Sequence, residues 1–484
     1  MLGVCPVAGG SDVKKLLLTP PLLQPNAPYP ATMHLTGFLE SRGESVEQRD
    51  LSIKVVRDVL TEYGGETVEE LLEFLGGSAP LEAKREASRA IEELALYIRD
   101  EVDPDFGFSR YAEHLCRAVS DFGELEKRVR RRGVIDRHLE RRLVEAMEET
   151  RPDEVWVTCP FPGTLTAAFK IARIIRRRYP SVRTAIGGGY VNTELREMND
   201  PRCAKYFDEF HFDDPEGMPP FVRPSYRGID WSEYFDVVET DNFVSNLWNS
   251  GKWAKLIMAR GCYWHKCAFC DVKLPYIGCF SMPRPSEIVD AMEELLNSAQ
   301  GGLIRGFHFV DEAMPPKLVS GVCDEILARR LDCEWWGNVR FDSAFTPALA
   351  RKMARTGCIA VTGGLECAND RLLKLMNKGI TLAGAEKVLE AFRSAEIFVH
   401  AYLMYDFPTE TGRERREAER YVRSLAKRGL VQSAFWHRFA LTVHSPIARE
   451  PGKFGIIIKE PEKRGKWIFA RNELEYEYAR KSRS

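Results

Sequence analysis

Three cysteines fall within nine residues in the stretch Arg260-Gly261-Cys262-Tyr263-Trp264-His265-Lys266-Cys267-Ala268-Phe269-Cys270-Asp271, spaced C-x4-C-x2-C. Thiolates are soft ligands that suit zinc and iron–sulfur clusters. Three of them in one loop leave a coordination position open. A structural zinc site needs four ligands. His265 lies inside the same loop, and no second Cys or His pair follows at zinc-ribbon spacing. The spacing therefore points to an iron–sulfur cluster on Cys262, Cys267 and Cys270, with zinc and unligated thiols as the alternatives.

Other reactive groups recur at the ends of short apolar runs. They are Asp311-Glu312, Asn338 with Arg340, Gly363-Gly364-Leu365-Glu366, Tyr405-Asp406, and His437-Arg438 with His444 beyond. Packing accounts for the apolar runs but not for polar groups at the end of each.

The elements that must position these groups alternate regularly. Lys255-Leu256-Ile257-Met258-Ala259 reads as a buried strand feeding the cysteine loop. Helical spacing follows over 285–299, 316–330, 346–356, 369–376, 382–394 and 412–428. Between these lie strand patterns at 306–310, 333–340, 358–362, 397–404 and 433–441. Six strands with helical crossovers imply a parallel sheet, either an incomplete (β/α)6 barrel or a long open sheet. Functional groups of such folds gather where the strands end.

The first half opens β-α-β, with a strand over 14–21 stopped by Pro20-Pro21, a helix over 31–42 and a strand over 45–51. Residues 55–150 are rich in Glu, Arg, Lys, Leu and Ala at helical spacing. The charged run 127–142 intersperses acids, so it reads as solvated helix faces rather than a nucleic-acid patch. Strand patterns return at 154–160 and 182–186, around a helix over 165–178. Gly187-Gly188-Gly189 then stands at a strand end, where glycines permit close approach of a ligand or form a tight turn. The division expected is a Rossmann-like domain over 12–212 with a helical insertion at about 55–150, a linker over 213–250, a partial barrel over 251–450 and a short tail over 451–484. The tail is charged and poor in core signals.

At 484 residues the chain is too long for one core. Its net charge of -2 gives no global reason to bind nucleic acid or membrane. No run approaches a membrane span, and the stretch Met1-Leu2-Gly3-Val4-Cys5-Pro6-Val7-Ala8 does not resemble a secretion signal. Nine cysteines (Cys5, Cys116, Cys159, Cys203, Cys279, Cys323, Cys333, Cys358 and Cys367) are scattered without a framework. Together these features predict a cytoplasmic protein with free thiols.

The cysteine loop resembles the cluster loop of radical S-adenosylmethionine (SAM) enzymes, with one residue more than the common C-x3-C-x2-C spacing. Phe269, just before the last cysteine, fits that loop. Gly363-Gly364-Leu365-Glu366 resembles the superfamily's fourth-strand Gly-x-Glu-type SAM motif, and Leu372-Leu373-Lys374-Leu375-Met376-Asn377-Lys378-Gly379 follows it as in many members. Tyr405-Asp406-Phe407-Pro408-Thr409-Glu410-Thr411 resembles the fifth-strand Gly-x-Pro-x-Glu-Thr segment, with Asp406 where Gly is usual. The first half resembles the cobalamin-binding domain that precedes the radical domain in one subgroup. That likeness rests on Leu16-Leu17-Leu18-Thr19-Pro20-Pro21, the sheet near 154–186, and the run from Gly187 to Glu194. The Asp-x-His-x-x-Gly motif that supplies a cobalt ligand elsewhere is absent.

The resemblance implies a 4Fe-4S cluster on Cys262, Cys267 and Cys270, and SAM on the fourth iron. It implies SAM contacts from Phe269, Arg340, Gly363, Gly364 and Glu366, with a salt bridge to a neighbouring helix as the alternative for Arg340. Cobalamin would lie at Gly187, Gly188 and Gly189. Asp311 and Glu312 would reach ribose or substrate, Tyr405 and His437 would face the substrate, and His308 would be a core residue or a ligand. The implied reaction is reductive cleavage of SAM to a 5′-deoxyadenosyl radical, followed by cobalamin-dependent methylation of an unactivated carbon. Epimerisation, cyclisation or rearrangement without methyl transfer is the alternative. A metal-stabilised binding protein without turnover is the rival of another class. Partners would be a small-molecule or peptide substrate and a one-electron reductant such as flavodoxin or ferredoxin, with no nucleic acid and no membrane.

Overall fold

A computed structural model describes residues 13–108, 121–459 and 467–479. Cys5, Cys116, the stretch from Met1 to Ala8, the first residue of the expected N-terminal domain, and parts of the expected tail (460–466 and 480–484) lie outside the described residues.

The first sheet is parallel, with strands β1 (Lys15–Thr19), β2 (Val46–Asp50), β3 (Glu154–Thr158), β4 (Arg183–Gly187) and β5 (Glu209–Phe210) in the order β2-β1-β3-β4-β5. β1 is buried throughout, which is why it reads as an uninterrupted apolar run. β5 escapes sequence reading because it is two residues long. β2 runs directly into a helix over Leu51–Gly64, since the Asp50 carboxylate accepts the N–H groups of Ser52 and Ile53 and caps it. The expected insertion therefore starts at Leu51, earlier than the sequence pattern suggests. The described residues add helices Glu66–Gly76, Leu81–Glu101, Phe122–Arg130 and Val134–Thr150, which share one apolar core with the sheet. The charges of the 127–142 run meet acids, as where Asp58 pairs with both Arg141 and Arg142.

The second sheet is also parallel. Strands β6 (Trp253–Leu256), β7 (Gly306–Phe309), β8 (Glu334–Val339), β9 (Cys358–Glu366), β10 (Phe398–Tyr405) and β11 (Ser433–Arg438) lie side by side in sequence order. This is the partial barrel expected. Two details differ. β6 ends at Leu256, which leaves Ile257-Met258-Ala259 as an extended lead into the cysteine loop. β9 runs through Gly363, Gly364, Leu365 and Glu366, so this segment is strand and not a turn. Along each strand, alternate residues enter the helix-covered core, among them Ala254, Leu256, Phe307, Phe309, Trp335, Val361 and Leu365. Their neighbours face the barrel interior.

The linker does more than connect. Trp248 packs against Trp336 (5.2 Å between ring centroids) and His400 (4.7 Å), closing the barrel near the strand starts. The tail also differs from expectation. Phe454, Ile456 and Leu474 join a core with Ala268, Met376, Phe407 and Phe439. Strands β12 (Ile456–Ile458) and β13 (Tyr476–Tyr478) pair antiparallel. Between them, Phe469 is buried against Phe122 (5.2 Å) and Phe169 (6.1 Å) of the first domain. The Arg471 N–H donates to the Glu194 carbonyl at 2.7 Å. The segment is thus a strap from the barrel back onto the N-terminal domain. Its apolar residues are few because each fills a gap in a core built by other segments.

Among the described residues, no helix is long and apolar enough to cross a membrane. Removing the buried ring in Phe469→Ala should destabilise the protein by about 3–5 kcal/mol, read as a shifted urea midpoint, whereas the exposed Trp467→Ala should shift it little.

Candidate functional site

The cysteine loop is held from both ends. At its entry, the two Asp311 carboxylate oxygens accept the N–H groups of Met258 and Ala259, each at 2.8 Å. Burial pushes the Asp311 carboxyl up to about 7. Arg260 and Ser281 then exchange backbone hydrogen bonds, and the Cys262 N–H donates to Ile277. At its exit, the Ala268 N–H donates to the Met376 carbonyl at 2.8 Å. The Trp264 indole N–H donates to Asn377, whose amide donates back to the Lys266 carbonyl. Gly379 (φ +75°) permits this embrace, since a Cβ there would overlap the Trp264 ring.

Beneath the loop lie two buried cations. Arg340 Nη1 stands 3.9 Å from Cys267 Sγ, and its guanidinium stacks on Trp264 (4.6 Å) and Tyr263 (5.9 Å). The Lys378 amine donates to Glu366 at 2.6 Å. Burial opposes the Lys378 charge, but the Glu366 carboxylate and the Cys267 sulfur outweigh it and the amine ends above its ordinary value. Cys267 and Cys270 share a hydrogen bond. That bond, with help from Lys378 and Arg340, pushes the Cys267 thiol down to about 6, while the same bond and burial push the Cys270 thiol up. The pair titrates as a unit, and its first proton is easily lost.

This chemistry fits an iron–sulfur cluster. Thiolates are its ligands, and adjacent cations offset its negative charge. His265 Nδ1 lies 3.0 Å from the Cys262 carbonyl. Among the described residues, no three Cys, His, Asp or Glu side chains are arranged to hold a single metal ion. A polynuclear cluster needs its thiolates further apart, because its irons and sulfides stand between them. Among the described residues Arg340 makes no salt bridge to a neighbouring helix: its Nε stands 3.9 Å from the Asp342 carboxylate and, though buried, makes no hydrogen bond. An anion beside the loop would satisfy it.

A cavity of about 900 Å3 spans the seam between the domains. It runs from Gly187, Gly188 and Gly189 at the end of β4 to Lys255, His308, Asn338 and Tyr402 in the barrel, and reaches Arg260 at the start of the cysteine loop. Gly188 (φ +108°) lies against the Cys159 backbone, where a Cβ would come within 2.9 Å. Four residues lining the cavity carry a buried polar atom without a partner: Asn26, His34, Thr158 and His308. Buried polar atoms are normally paired, so their concentration around one cavity marks a polar ligand site. Glu312 lines this cavity and is exposed within it, and partial desolvation by the surrounding protein pushes its carboxyl up to about 7.

The structure gathers Cys262, Cys267, Cys270, Phe269, Arg340, Gly364 and Glu366 around one loop. Gly363 points the other way, with Phe341 2.7 Å from where its Cβ would be. Strand alternation separates it from Gly364. Tyr405 lies against Arg415 (4.9 Å) and His437 sits on the last strand; neither lines the cavity. Asp311 is committed to the loop backbone, while Glu312 is free to meet a ligand. Lys378 and Asp342, whose carboxylate accepts the Tyr263 hydroxyl, were not singled out from the sequence. Lys378 was visible only as part of a motif run.

Because its folded value near 7 exceeds the ordinary 4.5, Glu312 favours folding fully below 4.5 and loses that contribution as pH rises to 7. Glu312→Gln should therefore gain stability relative to wild type at pH 8 compared with pH 5, measured by chemical unfolding at both.

Residues 256–422 match a family model described as the radical SAM superfamily. An anaerobic magnesium-protoporphyrin IX monomethyl ester cyclase from Cereibacter sphaeroides is 29% identical over 65% of this chain and 53% of its own length. The chain spans about half the length, or less, of the curated relatives it matches. The radical S-adenosylmethionine methyltransferase TsrM from Kitasatospora setae, solved with cobalamin and a 4Fe-4S cluster, superposes with a TM-score of 0.55 at 16% identity, covering 93% of this chain and 81% of its own. The cobalamin-dependent S-adenosylmethionine radical enzyme OxsB gives 0.58 at 13% identity, covering 96% and 64%. At such identities these structures speak for the fold. Residues 256–422 are thus a radical SAM domain, joined to a Rossmann-like domain in the two-domain fold of TsrM and OxsB.

Proposed function

We propose that this chain is a cobalamin-dependent radical SAM enzyme that methylates an unactivated carbon. The observation that carries the reading is the seam cavity. It joins the glycine edge of the first sheet to the barrel interior beside the cysteine loop, ringed by unpartnered buried polar groups. Cys262, Cys267 and Cys270 would hold the cluster. Arg340 and Glu366 would grip the charged end of SAM, with Gly364 leaving room for it and Phe269 beside it. Gly187, Gly188 and Gly189 would border cobalamin. When bound, these groups supply one-electron cleavage of SAM to a 5′-deoxyadenosyl radical and a transferable methyl group.

The chain's own residues do the rest. Arg340 offers a planar fork to a carboxylate, held in place by the Trp264 and Tyr263 rings. Lys378 fixes the Glu366 carboxylate so that its second oxygen can accept an ammonium. Trp248, wedged against Trp336 and His400, keeps water from the barrel floor. Glu312, exposed at the cavity wall, holds or releases a proton near pH 7.

Radical ring closure is the second reading, because the Cereibacter sphaeroides relative is named a cyclase. The substrate is a small molecule or peptide, an external donor such as flavodoxin or ferredoxin supplies the electron, and the ten described cysteines, all free, suit the reducing cytoplasm.

Protein reconstituted anaerobically with iron and sulfide, then given SAM and dithionite, should release 5′-deoxyadenosine. Cys262→Ala, Cys267→Ala and Cys270→Ala should each lose the cluster's visible absorbance and the product together. An intact cluster that yields no 5′-deoxyadenosine would overturn the radical reading, and a chain that binds no cobalamin would overturn its methyl-transfer form.

A further inference from the structure

One rung of the barrel floor is not accounted for by cluster, SAM or fold. Lys255 on β6 lies in register with His308 on β7, and His308 with Trp336 on β8. All three point into the barrel, opposite the helix-covered residues Leu256, Phe307, Phe309 and Trp335. His308 stacks flat on Trp336, with ring centroids 3.5 Å apart and planes 10° from parallel. The imidazole is 7% exposed, and its Nε2 has no partner. Both Lys255 and His308 line the seam cavity.

Lys255 is the anomaly. Among the described residues its amine has no hydrogen bond or ion-pair partner, and the one charge acting on it is Asp50. Asp50 is already occupied by the Tyr234 hydroxyl and the N–H groups of Ser52 and Ile53. Glu312 lies past the end of β7, in the loop that follows it, and exerts no charge effect on Lys255. Asp214 is engaged by Arg260. A half-buried ammonium that faces a cavity without a counter-charge is costly unless a ligand supplies one. Burial lowers the Lys255 amine to about 8, so it still carries its charge at neutral pH. Burial and Lys255 together press His308 well below its ordinary value, so the ring is neutral and stackable.

We propose that Lys255 is the anchor for an anionic oxygen group, a carboxylate or a phosphate ester, on a ligand seated in the seam cavity. His308, backed by Trp336, is the flat surface beside that anion. The body of the ligand then lies among Trp248, Tyr402 and Asn338, an apolar and aromatic wall with one amide. The anchor rests on the cavity being the binding chamber of the proposed function. Its anion comes from one of two sources: a carboxylated planar substrate, or the phosphodiester of cobalamin.

Two probe pairs separate these sources. Hydroxocobalamin and cobinamide share the corrin ring, but only the first carries the phosphodiester; binding is read from the visible spectrum. Indole-3-acetate and indole-3-acetamide differ only in charge at the acid; binding is read by calorimetry. All four are titrated into wild-type protein, Lys255→Met and Lys255→Arg. The anchor is supported if Lys255→Met loses at least about tenfold in affinity for the anionic member of one pair and not for its partner, with Lys255→Arg retaining part. The pair that responds names the source. The anchor is overturned if wild type shows no preference for either anionic member, or if both members of a pair fall together. Lys255→Met removes an unpaired, half-buried charge, so its thermal midpoint should equal or exceed that of wild type. If it fails to fold, Lys255→Arg decides alone: keeping the anion preference supports the anchor, and losing selectivity in both pairs overturns it. A wild-type chain that binds no corrinoid but prefers indole-3-acetate defeats the cobalamin reading and leaves the anchor standing.

Discussion

A positive charge buried next to sulfur must be paired, held and shielded, and the barrel of this protein is organised around two such charges. Arg340 comes from the end of one strand and Lys378 from a loop two crossovers later, yet both converge under Cys267. Each is immobilised by something remote. Arg340 donates to the Lys378 carbonyl and is covered by Trp264 and Tyr263. Lys378 is tied to Glu366, which stands in the left-handed region at φ +52°. Losing any one member would leave an uncompensated charge in a dry place, which costs more than the pair contributes. The extra residue between Cys262 and Cys267 finds its reason here. The longer gap holds two consecutive aromatics, one against Arg340 with its indole on Asn377, the other bound to Asp342.

The two sheets are both parallel and both end at the seam. A parallel sheet leaves its strand ends unpaired and rich in loops, so facing two such edges creates a chamber without sacrificing either core. Trp248 closes the far end of the barrel. Asp311 carries the barrel's order into the cysteine loop by gripping two consecutive amides. The arrangement places rigid strands behind every group that a ligand would touch.

Periodicity and spacing made the architecture legible. Six strands, their crossovers, the β-α-β opening and the three cysteines all follow from local patterns in the chain. What local pattern could not show were pairings across distance. Lys378 reads as one lysine in a charged run until Glu366 is placed beside it. Asp311 and Glu312 are neighbours of like charge, and only strand geometry separates the one that braces the loop from the one that faces the cavity. Gly363 and Gly364 are chemically identical, yet alternation sends one toward Phe341 and the other toward Glu366. His308 and Lys255 look like an ordinary core histidine and an ordinary strand lysine until the register sets them side by side.

The strap has a consequence in time rather than in space. A chain is made from its N-terminus, and domains begin to fold as they emerge. Phe469 follows every other aromatic residue of the first domain's core by more than two hundred positions. Until it arrives, Phe122 and Phe169 lack a neighbour, and nothing from the strap holds the Glu194 end of the glycine segment. A nascent molecule therefore passes through a stage in which both sheets exist and the seam is still unfastened. Slower translation of the segment that carries Phe469 and Arg471 lengthens that stage.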